Sequence, residues 1–60
     1  MTVVEALKAY VEAEGGDASD ATTVLEALEA LYTTKGGESF QSRTIAEALE
    51  DIAELIGDDT

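Results

Sequence analysis

Glu47, Glu50, Asp51 and Glu54 stand three and four residues apart, a spacing that gathers four carboxylates on one side of a helix. Paired carboxylates can do general acid–base work, but one of the pair must be buried to hold a proton near neutral pH. This set lies opposite the apolar residues of its own segment, so it reads as a solvated face. Asp17, Ser19 and Asp20 have the composition of a calcium loop. The alternating ligands, central glycine and closing bidentate glutamate of such a loop are absent. Gly37-Glu38-Ser39-Phe40-Gln41 begins like a nucleophile elbow but lacks its second glycine. Gly36-Gly37 is followed by Glu38 where a phosphate loop would carry its lysine, so a carboxylate stands where the phosphate would sit.

The chain has no histidine and no cysteine. Ser-His and Cys-His nucleophile pairs are therefore excluded, as are the usual zinc ligand sets. The expectation is a non-enzymatic protein with no catalytic residues, no cofactor, no metal site and no small-molecule substrate.

What organises the sequence is a phrase written three times. Thr2-Val3-Val4-Glu5-Ala6-Leu7 returns as Thr23-Val24-Leu25-Glu26-Ala27-Leu28 and again as Thr44-Ile45-Ala46-Glu47-Ala48-Leu49. The interval is 21 residues both times, and Gly15, Gly36 and Gly57 close the copies at one common offset. A fixed interval of this kind marks one small unit repeated. Each unit has the signals of a helix. Its threonine sits three residues before a glutamate, the spacing of a capping box in which hydroxyl and carboxylate each satisfy one free amide. Its glycine suits the left-handed position that follows a helix. The spacing predicts helices over 3–14, 24–35 and 45–56. Thr22 competes with Thr23, and Ser42 with Thr44, as the capping residue.

The apolar positions form a stripe of Val3, Leu7 and Tyr10, then Val24, Leu28 and Leu31, then Ile45, Leu49, Ile52 and Ile56. Ala6, Ala27 and Ala48 flank it on one edge; Val4, Val11, Leu25, Tyr32, Ala46 and Ala53 lie on the other. Together they cover roughly 160° of the wheel, more than a simple core-facing stripe needs. Two readings stay open. The wide band completes the core of a small bundle, or it adds a protein-contact surface at Val4, Val11, Leu25, Tyr32 and the linker residue Phe40. Phe40 itself either tucks over the core edge or serves as an exposed anchor.

Sixty residues make a single module, 1–60, read as an all-α, compact three-helix bundle of three 21-residue repeats. Short connections between short helices favour an up-down-up order. The eight-residue linkers, 15–22 and 36–43, also span about 26 Å when extended, enough to return along a helix and start the next one parallel. The alternative is therefore a parallel, pseudo-threefold arrangement. The ends decide: Glu14 and Lys35 meet only if their helices run the same way.

Charge bounds the partners. The net charge is −11, with Lys8, Lys35 and Arg43 as the basic residues. Nucleic-acid binding needs a cluster of lysine and arginine, so no nucleic-acid partner is expected. Acidic lipid surfaces would repel the chain, and no apolar run reaches the ~20 residues of a membrane span. The N-terminal segment, an amphipathic helix, lacks the basic region of a secretion signal. Dense carboxylates suit a solvated surface, a high-salt setting where screening removes their mutual repulsion, or a basic partner.

The phrase Thr-Val/Ile-x-Glu-Ala-Leu with a following Gly-Gly-Asp/Glu, carried by Thr2–Gly16 and Thr23–Gly37 and shortened in Thr44–Gly57, resembles helical segments of tailed-virus structural proteins of the head-fibre and capsid-decoration type. The resemblance implies a virion component: a compact decoration or anchoring module, single or homo-oligomeric, docked on a protein lattice around a capsid symmetry axis, with no catalytic activity. Outside a virion the chain is expected in the cytoplasm. The other readings are an idealised, designed repeat with no natural partner and a halophilic protein-interaction or regulatory domain.

Overall fold

The computed structural model describes residues 1–57 and contains three helices: α1 (Val3–Ala13), α2 (Val24–Thr34) and α3 (Ile45–Ile56). No strand occurs among the described residues. The all-α, three-helix architecture is the one the repeat predicts. Residues 58–60 of the expected module lie outside the described residues.

Each helix starts where its threonine places it. The hydroxyls of Thr2, Thr23 and Thr44 accept from the amides of Glu5, Glu26 and Glu47 at 3.2, 3.2 and 3.1 Å. The reciprocal half of the box forms fully only at α1, where the Thr2 amide donates to Glu5 Oε1 at 2.8 Å. In the later units the glutamate reaches one residue further back. Glu26 accepts from both the amide and the hydroxyl of Thr22 at 2.6 Å, and Glu47 accepts from the Arg43 amide at 2.8 Å. Two linkers are thereby tied to the helices they lead into. Thr22 is thus a partner of the cap, and Ser42 is not the third cap: its hydroxyl donates to Asp51.

The first two helices end one residue earlier than the spacing predicts. Gly15 (φ +94°) and Gly36 (φ +102°) turn the chain in the left-handed region, with Glu14 and Lys35 as caps. The amides of Gly16 and Gly37 then reach back to the carbonyls of Val11 and Tyr32, both at 2.9 Å. With the Gly15-to-Glu12 and Gly36-to-Thr33 bonds, these are two Schellman endings of the same build. Gly57 does not repeat them. It caps α3 at φ −90°, outside the left-handed region expected of it.

The order of the helices corrects the up-down-up expectation. Lys35 Nζ donates to Glu14 Oε1 at 2.6 Å, so the C-terminal ends of α1 and α2 lie side by side. Antiparallel helices of 11 residues would hold those ends about 16 Å apart at 1.5 Å per residue. A side chain on Gly16 would collide with Thr34 and come within 2.9 Å of Val11 Cγ1, which confirms that the two helix ends adjoin. The chain therefore returns through the linker and starts α2 in the same direction as α1. The threefold form of the parallel alternative is corrected as well. α1 packs on α2 and α2 on α3, while no Cα of α1 comes within 8 Å of one in α3. The helices form an open bundle with α2 in the middle.

That position explains the burial. α2 is covered on two sides and supplies Ala27, Leu28 and Leu31 to the core, with Leu28 fully enclosed. α1 contributes Val11, and α3 contributes Ala48 and Ile52. Ala18 and Ala21 of the first linker are buried with them, because the returning strand of chain lies over the core rather than looping into solvent.

Candidate functional site

Successive units repeat the same two apolar faces. The first face is Val3, Ala6 and Tyr10 on α1; Val24, Ala27 and Leu31 on α2; Ile45, Ala48 and Ile52 on α3. The second face is Val4, Leu7 and Val11; Leu25, Leu28 and Tyr32; Ala46, Leu49 and Ala53. On α1 the second face is the covered one: Val11 is 0% exposed, and Val4 and Leu7 are half-buried. On α3 the first face is covered at Ala48 and Ile52, while Ile45 at its start is 48% exposed. On α2 both are covered. Thr34, on the flank of the first face of α2, adjoins Gly16 and Val11. Tyr32, on the second face of α2, carries the Phe40 ring of the linker leading to α3. The second face of each helix thus meets the first face of the helix that follows it.

The proposed contact residues fall largely inside this scheme. Val11 is core, and Val4, Leu25, Tyr32 and Phe40 are half-buried. Leu25, Tyr32 and Phe40 pack directly against the buried cluster. Phe40 meets Tyr32 edge to face, with centroids 5.5 Å apart and planes at 62°. It tucks over the core edge, the first of the two readings given for it. The wide apolar band is used to join one unit to the next.

Five residues that the wheel places in the central, core-facing stripe are not covered, and this corrects that part of the reading: Val3, Tyr10, Ile45, Leu49 and Ile56 are exposed. The first face of α1 is open, with Val3 64% and Tyr10 46% exposed and Ala6 beside them. The second face of α3 is open too, with Leu49 53% exposed between Ala46 and Ala53. A wheel gives the same angular place to Leu28 and Leu49. Only the order of the helices separates the buried leucine from the open one. The rim of the α1 face carries one cation: Lys35 Nζ sits 6.0 Å from the centre of the Tyr10 ring while bonded to Glu14. The Glu14 carboxylate raises the Lys35 pKa above the ordinary lysine value.

The acidic groups are engaged locally. Asp17 accepts from the Ser19 amide at 3.0 Å, and that bond holds its pKa below the usual carboxylate value. The Thr22 hydroxyl and amide do the same for Glu26. Of the four carboxylates on α3, Glu47 braces the linker at Arg43 and Asp51 takes the Ser42 hydroxyl, while Glu50 and Glu54 face solvent. Glu14, Asp17, Asp20, Glu26 and Glu29 line an open groove where the first linker crosses α2. Among the described residues no group of three acidic side chains converges as metal ligands would. No helix among them is long and apolar enough to cross a membrane. The arrangement leaves apolar helix surface in contact with water at both outer helices. No family model, curated protein or solved structure matches the chain.

Proposed function

We propose that the chain is a non-enzymatic structural module that acts by being built into a larger protein assembly, of the capsid-decoration or anchoring kind that its repeated phrase resembles. One observation carries the reading: each end of the row presents an apolar helix face that the fold leaves uncovered, at Val3, Ala6 and Tyr10 and at Ala46, Leu49 and Ala53. Apolar side chains left in water add nothing to the stability of a chain whose core is already small. A protein contact that covers them would bring that burial into play. The acidic groups elsewhere on the surface keep the free chain soluble, with Ile45, Leu55 and Ile56 as further exposed apolar side chains on α3.

The test is sedimentation of extracts from cells that produce the chain, at the salt concentration of those cells. The reading expects the chain in particles far larger than itself, virion-sized for the decoration role. The variants Val3→Gln/Tyr10→Gln and Leu49→Gln are expected to leave those particles while keeping their helicity. Recovery of the intact wild-type chain at its own mass would contradict the proposal.

A further inference from the structure

The two open faces are not alike, and their difference has a pattern. Within the chain, the second face of α1 covers the first face of α2, and the second face of α2 covers the first face of α3. The same pair of faces is joined twice, with the face residues 21 positions apart. The face left open on α3 is a second face, and the face left open on α1 is a first face. We propose that these are the two halves of a third such joint, and that a second copy of this chain covers them. α3 of one copy lays Ala46, Leu49 and Ala53 on Val3, Ala6 and Tyr10 of the next. This rests on the assembly reading above and names its partner.

Side-chain size supports the match. Ala46 and Ala53 stand where the internal joints carry Val4 and Val11, or Leu25 and Tyr32. Opposite them, Tyr10 stands where the internal joints carry Leu31 or Ile52. Against the α1–α2 joint, what Ala46 and Ala53 lose relative to Val4 and Val11 is offset by Tyr10 in place of Leu31, so the number of side-chain heavy atoms is conserved there. Pairing α1 with α1 would set a first face against a first face, a contact made nowhere in the fold. The joint is therefore heterologous, and copies add head to tail. Charge opposes it at low salt, since each copy carries −11. The screening length falls from about 10 Å at 0.1 M salt to about 3 Å at 1 M, so the joint closes as salt rises.

The experiment is sedimentation of the purified chain across salt concentration, with two variants that each block one face. Tyr10→Gln with Val3→Gln blocks the first face of α1; Leu49→Gln with Ala53→Gln blocks the second face of α3. All four positions are exposed, and circular dichroism checks that both variants stay helical. Wild type is expected to be monomeric in dilute buffer and associated in molar salt. Each variant alone is expected to associate at least about tenfold more weakly. An equimolar mixture of the two is expected to give a one-to-one dimer and nothing larger, because one intact half of the joint remains on each variant. Wild type that stays monomeric in molar salt, a single variant that associates as wild type does, or a mixture that stays monomeric would each overturn the inference. If the purified wild type is monomeric yet still sediments with large particles in extracts, the self-joint alone falls. If both results are negative, the assembly reading falls with it.

Discussion

At the scale of single residues, the glutamate that follows each threonine cap ties a linker to a helix. Glu26 shows it most fully, with two bonds from Thr22 that lower its pKa. A carboxylate whose folded pKa is depressed adds stability above its unfolded pKa of about 4.3 and loses it as pH falls through the folded value. Glu26→Gln is therefore expected to melt below wild type at pH 7. The gap is expected to close as pH drops below about 4, and thermal melts of the pair across pH check it. For Lys35 the sign reverses: its raised pKa makes the Glu14 contact stabilising below pH of about 10.4, and the contact is lost as pH rises through the folded value. Gly16 marks the closest approach of the first turn to α2. A methyl there meets Thr34 and Val11, so Gly16→Ala is expected to destabilise by about 1–3 kcal/mol, the range for overpacking a tight contact. Chemical denaturation measures that cost.

At the scale of elements, helix starts were legible because threonine, glutamate and the apolar period all act within one turn of chain. The three caps fall at Thr2, Thr23 and Thr44 as the spacing predicts. Ends were legible to within a residue where a second glycine follows the first, as in Gly15-Gly16 and Gly36-Gly37, and α2 and α1 close there in the Schellman form. Helix order was not legible. An eight-residue linker can connect helices either way, and local signals do not report which way it runs. Its own composition held a hint: Ala18 and Ala21 are small and apolar, suited to a strand of chain lying on a core, and both are buried. Without the order, the wheel could not separate Leu28 from Leu49, two copies of one position. Their substitution separates them. Leu28→Ala is expected to cost about 2–5 kcal/mol, the range for a large-to-small change in a core, while Leu49→Ser is expected to stay within about 0.5 kcal/mol. Equal losses in denaturation midpoints would place both leucines in one closed core.

At the scale of the molecule, the candidate faces follow from the open row, and the row follows from linkers that return along it. A closed bundle of the same helices would cover Tyr10 and Leu49 and leave no apolar face for a partner. The charge acts at this scale as well. Fourteen carboxylates against three basic side chains repel one another over a surface that keeps few ion pairs, so screening favours the compact form. The melting temperature of the chain is expected to rise between about 0.1 M and 1 M salt, where the screening length shortens about threefold. A flat salt dependence in calorimetry would show that self-repulsion contributes little. Most of the fold was legible because it is written three times; the contact faces were not, because they are created by the two places where the repetition stops.

The central claim is that α1 and α2 run side by side in the same direction, with α3 on the far side of α2 and apart from α1. The chain has no cysteine, so spin labels can be placed singly or in pairs at Glu12, Thr33 and Glu54, exposed positions 21 residues apart. Dipolar distances among the three labels test the row directly. The account predicts two equal short separations, 12–33 and 33–54, each near the 8–10 Å of packed helices broadened by the labels, and a clearly longer 12–54 separation. Three equal distances, or a 12–54 separation shorter than the other two, would contradict it.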